Sequence, residues 1–179
     1  LLLWQLVLVL SLALILSEHV FGGRGFGFLS PAAVALSLLV FSFPQLQLEA
    51  NSQLVALASL PGAILLLLIG LISWRVIIGT LTALVILFIL FGYDVQVMSL
   101  GVALMFGVIF LICDPTSAAS TNPGRWFFGF LAGALIFVFS GSANQVTSQS
   151  IVFASLAASV FAPLIDHLIV LAHAKRRSR

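Results

Sequence analysis

Long apolar runs alternate with short polar connections along the whole chain. A helix needs about 20 apolar residues to cross about 30 Å of hydrocarbon, and several of the runs are shorter than that. Short apolar segments beside Gly and Pro are typical of discontinuous helices. The pattern therefore predicts an all-α polytopic membrane protein with about seven transmembrane helices, some of them short or discontinuous. The runs cover residues 2–17, 29–44, 53–72, 76–92, 97–112, 126–141 and 150–172.

Composition supports a membrane protein over its whole length. Of the 179 residues, 62% are hydrophobic and 7% are charged, whereas a soluble domain has about 25% charged residues. We therefore expect residues 1–179 to form a single transmembrane domain. The single cysteine, Cys113, excludes an intrachain disulfide and a complete C-x-x-C metal or redox motif. No local motif of a catalytic triad is present, so we assign no catalytic and no metal-binding residue.

The charges predict the topology. If all seven runs cross the membrane, all Lys and Arg residues fall on one side, whereas Glu49 and Asp94 fall on the other. This distribution obeys the positive-inside rule and predicts a multi-pass protein with a basic cytoplasmic tail at 173–179. Basic residues placed in this way flank a bilayer and do not indicate nucleic-acid binding. They are Arg24, Arg75, Arg125, Lys175, Arg176, Arg177 and Arg179.

Small residues recur four positions apart in the last two runs. The pairs are Gly129 with Gly133, Ala154 with Ala158, and Ser155 with Ser159. This spacing lets helix backbones approach closely. We expect packing between helices of this chain, with a dedicated dimer face as the alternative.

The connection after the fifth run is the densest polar segment of the chain. Residues 113–126 read CDPTSAASTNPGRW and include Asp114, Ser117, Thr121, Asn122 and Arg125. Such residues favour helix caps and turns. The segment is nevertheless far longer than a turn needs, and irregular backbone at membrane depth is tolerated where it is buried or lines a cavity. Both a helix-end role and a functional role fit it.

Asp166 is the second notable acid. It lies in the last run, nine residues before Lys175, or about 13 Å away along a regular helix. An ionisable residue at such a depth is a functional hypothesis by default. Pro163 frees a backbone carbonyl that could share a cation or a water molecule with Asp166. The alternative is an interfacial aspartate paired with a basic residue.

A glycine-rich loop follows the first run. It contains Gly22, Gly23 and Gly27 and ends at Ser30 and Pro31, where the next run begins. Glycines permit close approach of a ligand to the backbone, and a helix N-terminus offers free N–H groups. The alternative is a flexible turn that carries Arg24.

Four motifs in this order carry a resemblance to a known family. They are EHVFGGRGFGFLSPAA, ISWRVIIGT, DPTSAASTNPGRW and FAPLIDH followed by KRR. They resemble the membrane-embedded B subunit of the sodium-translocating NADH:quinone oxidoreductase and, more loosely, the D subunit of the Rnf complex. The resemblance implies a urea-transporter-like fold of ten helices, of which this chain would be the last seven. It also implies partners among the membrane subunits of a multi-subunit complex, within the lipid bilayer of a bacterial-type inner membrane.

The resemblance assigns roles to particular residues. Asp114 and Asp166 match two acids implicated in uptake of the transported ion, Na⁺ or H⁺. The family places a non-covalent riboflavin near the glycine-rich loop, where we expect two asparagines. This chain has Gly27 and Ser30 at those positions instead, a departure that argues against riboflavin and leaves it only as an alternative.

A larger departure concerns a covalent flavin. The family attaches FMN to the threonine of an SGAT motif in the loop between the second and third runs. In this chain the loop reads PQLQLEANSQ and has no threonine. We therefore expect no covalent FMN on this chain.

Three functions follow. The first is an ion pathway and scaffold in an ion-translocating redox complex, as a non-autonomous subunit of an oxidoreductase or translocase. The second is a redox-inactive paralogue that serves as a structural subunit of another membrane bioenergetic complex. The third, a small-solute channel, depends only on analogy at the level of the fold.

Overall fold

The computed structural model describes residues 3–21, 27–43, 52–92, 104–141 and 146–177. Within these ranges all regular secondary structure is helical. We number the helices in chain order, and α5 is described from residue 104 onward. The helices are α1 Leu3–Leu14, α2 Pro31–Ser42, α3 Ser52–Ile69, α4 Trp74–Leu90, α5 104–112, α6 Asn122–Ser140 and α7 Ser148–Arg177.

Each apolar run contains or overlaps one of these helices, which confirms the all-α membrane fold. Three of the described helices are long and apolar enough to cross a membrane, over Leu3–Val20, Asn122–Ser140 and Ser148–Lys175. Shorter apolar helices cover Pro31–Ser42 and Trp74–Leu90, and a further one lies at Ala58–Ile69. The prediction of several short helices is therefore confirmed.

Polar first turns explain why two helices begin before the corresponding apolar runs. Helix α6 begins at Asn122, four residues before the apolar run, and α4 begins at Trp74 after the N-cap residue Ser73. Hydropathy misses these turns because capping residues and the first helical positions are polar. At α2 the start is marked by Pro31 at the first helical position, where a missing N–H costs nothing.

Helices α4 and α6 run parallel and in close contact. Cβ atoms added to Gly129 and Gly133 would lie 2.7 Å from the Val76 carbonyl oxygen and 2.5 Å from the Thr80 carbonyl oxygen. Glycine is therefore required here for the backbones to approach. This confirms that the Gly129 and Gly133 pair packs within the chain.

Helix α7 packs antiparallel against α6. At one end of the pair the Ser140 and Ser150 hydroxyls lie 3.4 Å apart, and at the other Asp166 contacts the residues that precede α6. Ala154 and Ala158 of α7 are fully buried in the core that α7 shares with α4, α5 and α6. The small residues of α7 thus also pack within the chain.

Helices α1 and α2 form a second, smaller apolar cluster around Ala13, Leu29 and Val34, and Leu156 of α7 packs against it. Helix α1 continues as a π-helix over Ile15–Val20, which ends next to the glycine-rich loop. Gly22, Gly23, Arg24, Glu49 and Asp94 lie outside the described residues.

Candidate functional site at the start of helix α6

A π-helical turn leads into the polar segment. The last residues of α5, Val108–Ile112, are π-helical, and the Cys113 N–H donates to the Val108 carbonyl at 2.9 Å. Turns of this kind are rare and occur often at functional sites. Cys113 is buried, and burial raises the pKa of its thiol to about 12. The site therefore begins on a tightly packed residue.

Asp114 organises the first part of the segment. Its Oδ1 accepts from the Thr116 N–H at 3.1 Å and from the Thr116 hydroxyl at 2.9 Å. Its carbonyl oxygen accepts from the N–H groups of Ser117 and Ala118 at 3.1 and 2.9 Å. This is the local side-chain-to-backbone bonding that Asp favours in turns. Asp114 is half-buried and Ser117 is buried.

Asp166 of α7 binds Ser120 and Thr121, the two residues that directly precede α6. Its Oδ2 accepts from the Ser120 N–H at 2.8 Å and the Ser120 hydroxyl at 3.0 Å. Its Oδ1 accepts from the Thr121 N–H at 3.1 Å and the Thr121 hydroxyl at 2.5 Å. We call these four hydrogen bonds the Asp166 clasp. They join residues 45 and 46 positions apart in sequence.

The clasp completes the N-terminal cap of α6. Thr121 is the N-cap residue, and its hydroxyl oxygen accepts from the Gly124 N–H at 3.2 Å. Pro123 has no N–H to satisfy. A carboxylate is also stabilised by the positive end of the helix dipole. Asp166 and Thr121 together therefore satisfy donors that the helix itself leaves without partners.

Gly124 leaves the space that the clasp occupies. A Cβ on this residue would overlap the Thr121 hydroxyl and lie 2.7 Å from Asp166 Oδ1 and 3.2 Å from the Ala119 Cβ. Any larger side chain would therefore displace the cap.

Cationic and aromatic residues surround the start of α6. Arg75 of α4 donates to the Asn122 side-chain oxygen at 2.6 Å, and its guanidinium lies 5.4 Å from the Trp74 ring centroid. Trp74 and Trp126 form an edge-to-face pair with centroids 5.9 Å apart. The Arg125 Nε donates to the Ala119 carbonyl at 3.4 Å. Tryptophans are enriched at membrane–water interfaces.

The position of Asp166 relative to α6 differs from what its distance to Lys175 along α7 suggests. Helix α7 continues to Arg177, but Asp166 lies level with the residues that precede α6. The acid therefore lies at the level of a helix start, although Lys175 is nine residues away. Pro163 lies inside α7 and is exposed. Because proline has no N–H, the carbonyl of the buried Ser159 lacks its usual hydrogen bond within the helix.

The structure brings only part of the predicted set together. Asp166 and Thr121 share a hydrogen bond. Asn122 accepts from Arg75, and Arg125 donates to the Ala119 carbonyl. Asp114 and Asp166 share no hydrogen-bond partner among the described residues.

Sequence reasoning missed Ser120 and Gly124 as site residues. The order Ser, Thr, Asn, Pro, Gly before an apolar run is an N-cap signature that could have pointed to them. Nothing near these two residues in the sequence indicates that they contact Asp166.

The described part of the glycine-rich region borders an apolar cavity. Its volume is about 260 Å³, which is below the roughly 300–1,000 Å³ of ligand pockets. Its one polar lining residue, Ser37, already donates its hydroxyl to Val34. Ser30 is buried at the N-cap of α2 without a side-chain capping bond, and Gly27 is half-buried. The cavity that the described residues line is therefore small and apolar.

All threonine hydroxyls of the chain are engaged in internal hydrogen bonds. Two bond to carbonyl groups inside α4, one to Asp114, one to Asp166 and one to Ser150. These threonines are Thr80, Thr82, Thr116, Thr121 and Thr147.

Comparison with known proteins identifies the family. The sequence pattern of the NQR2, RnfD, RnfE family matches residues 46–175, which include Asp114, the Asp166 clasp and helices α3 to α6. The chain belongs to the NQR2, RnfD, RnfE family. The resemblance drawn from the four motifs is thereby confirmed.

Curated relatives in this family extend the match toward the first residues. The B subunit of the Na⁺-translocating NADH-quinone reductase of Azotobacter vinelandii is 29% identical over 98% of this chain and 57% of its own length. The corresponding protein of Pseudomonas aeruginosa strain LESB58 has the same identity and coverage. That of Chromohalobacter salexigens is 29% identical over 99% of this chain and 56% of its own length. The chain thus spans a little over half the length of these relatives.

Proposed function

We propose that this chain is a membrane subunit of a Na⁺-translocating NADH:quinone reductase or Rnf-type complex, where it contributes an ion pathway and a scaffold. It acts as a non-autonomous subunit beside other membrane subunits of that complex. It lies in a bacterial inner membrane as a multi-pass protein, with the C-terminus in the cytoplasm. The observation that carries this proposal is the family match, which includes both acids of the candidate site.

The geometry supports an ion pathway at one end of the bundle. Arg75 and Arg125 lie at the same end as Asp166, as expected if α4 and α6 start on one side of the membrane. Acids that sit in a polar segment beside two helix ends are suited to receive a cation from water. Na⁺ is the cation that the names of the relatives state.

Replacing Asp166 tests the proposal. In the assembled complex, Asp166→Ala should abolish sodium-coupled activity because it removes the carboxylate and the bonds to Ser120 and Thr121. The complex is purified first, and its subunits are identified. Glu18→Gln is the matched control, since it neutralises an acid in the π-helical end of α1 that has no hydrogen bond to the site among the described residues. Unchanged sodium coupling in an assembled Asp166→Ala complex would reject the ion pathway.

A redox-inactive structural role is the second candidate. It is favoured by the loop at 44–52, which has no threonine, and by the five internally bonded threonine hydroxyls. The alignment with the Azotobacter relative is 230 positions long, which exceeds the 179 residues of this chain. Relatives therefore carry internal residues that this chain lacks. Copurification without flavin and iron–sulfur subunits would favour this candidate over the first.

A further inference from the structure

The two acids of the site differ in what their oxygens already bind. A carboxylate offers about four lone-pair positions. The four bonds of the Asp166 clasp occupy both oxygens of Asp166, and two of the donors are backbone N–H groups. Asp166 is therefore saturated by donors in this structure.

Asp114 keeps acceptor capacity. Both bonds to its side chain come from Thr116 and end on Oδ1. From the residues that the structure describes, no hydrogen bond reaches Oδ2. Asp114 is half-buried in a turn whose exposed members are Pro115 and Thr116. One oxygen of Asp114 is thus left for a ligand.

We propose that Asp166 is a positioning residue that holds the 113–121 segment in place, and that Asp114 is the acid that meets the cation. This proposal rests on the proposed function. Hard cations are bound by oxygen ligands, whereas Asp166 faces N–H groups and the positive end of the α6 dipole. A cation at Asp166 would have to displace those donors. Occupation of Asp166 by a cation and the Asp166 clasp therefore exclude each other.

The segment connects the two roles. Its first half is held by the Asp114 turn, where Ser117 and Ala118 donate to the Asp114 carbonyl. Its second half is held by the clasp at Ser120 and Thr121. If the clasp is lost, Ser120 and Thr121 are no longer held. The turn that contains Asp114 then loses its support on that side.

A cysteine reporter can read the state of the segment. In full-length protein within the complex, Cys113→Ala removes the only cysteine of this chain, and Ser117→Cys introduces a new one. Ser117 is 4% exposed, and its hydroxyl bond to the Asp114 carbonyl is long, at 3.5 Å. The reporter should therefore be tolerated and react slowly with a maleimide while the clasp is formed.

The asparagine variants separate the two acids. Asp166→Asn replaces one carboxylate oxygen, which accepts hydrogen bonds from Ser120 or Thr121, with an NH₂ group. Two hydrogen-bond donors would then face each other. Because charge-assisted bonds are lost, we expect labelling of the reporter to rise by about tenfold or more. The maximal sodium-dependent rate should fall, while the sodium concentration for half-maximal rate stays within about twofold. Asp114→Asn should raise that concentration by about tenfold or more and leave labelling within about twofold.

Thr121 supplies a second pair of variants if Asp166→Asn fails to assemble. Thr121→Val removes the hydroxyl at nearly constant shape and should increase labelling, whereas Thr121→Ser keeps the hydroxyl and should restore protection. If Asp166 made only a structural contact, Asp166→Asn and Asp114→Asn would not separate the effect on the maximal rate from the effect on the half-maximal sodium concentration.

Two other results have clear meanings. If Asp166→Asn raises the half-maximal sodium concentration about tenfold while the reporter stays protected, Asp166 is a cation ligand and the proposal is overturned. If labelling rises in Asp166→Asn but neither acid affects sodium dependence, the positioning role of Asp166 holds and the ion pathway of the proposed function is rejected.

Discussion

Gly124→Ala perturbs the candidate site without touching either acid. The added Cβ would lie 2.7 Å from Asp166 Oδ1, and ordinary contact begins at 3.4 Å. The carboxylate therefore has to move by about 0.7 Å away from α6. The same Cβ overlaps the Thr121 hydroxyl, which accepts from the Gly124 N–H. Both side chains are held by hydrogen bonds, so neither can yield at low cost.

The expected cost follows from the bonds that this shift breaks. Loss of an N-cap bond costs about 1 kcal/mol, and weakening the bonds to the charged Asp166 costs about 1.5–3 kcal/mol. Replacing Gly by Ala within a helix returns at most about 1 kcal/mol. The net loss of about 1.5–3 kcal/mol falls on the segment, because the helix core around Phe128 is untouched. It corresponds to opening the segment about tenfold more often or more.

Labelling of the Ser117→Cys reporter in a Cys113→Ala background measures this opening. Gly62→Ala is the matched control, since its Cβ would meet only the Phe110 ring, at 4.0 Å. We expect faster labelling in Gly124→Ala and no change in Gly62→Ala. Equal labelling rates in the two variants would refute the inference that the space at Gly124 is needed by the Asp166 clasp.

Two further predictions concern the bundle and the cofactor. Gly129→Ala should destabilise the solubilised protein by about 1–3 kcal/mol, because its Cβ meets the Val76 carbonyl of α4 at 2.7 Å. Thermal unfolding followed by fluorescence of the Trp74 and Trp126 pair measures it against Gly62→Ala, and equal stability would contradict the close packing of α4 and α6. Denatured polypeptide should show no acid-stable flavin fluorescence at the mass of this chain, whereas a fluorescent band would disprove the loss of the covalent FMN.

The candidate site was predictable in part. Asp114, Thr121 and Asn122 stand in a polar segment between apolar runs, so their location at a helix end could be read from sequence. Asp166 stood out as an acid in an apolar helix. Its partners did not, because Ser120 is 46 positions away and nothing local to either residue encodes the contact. The sequence of the glycine-rich loop also gave no sign that the cavity lined by Phe28 and Leu29 is small and apolar.

The amino-acid sequence by itself determined that this chain is an all-α membrane protein with short helices and a polar segment between α5 and α6. It could do so because hydropathy and capping are local properties of a few neighbouring residues. Only the tertiary structure decided which hydrogen-bond partners the two acids have. Hydrogen bonds from the described residues occupy both oxygens of Asp166 but only Oδ1 of Asp114. That difference arises when α7 packs antiparallel on α6 and brings its carboxylate to the start of that helix.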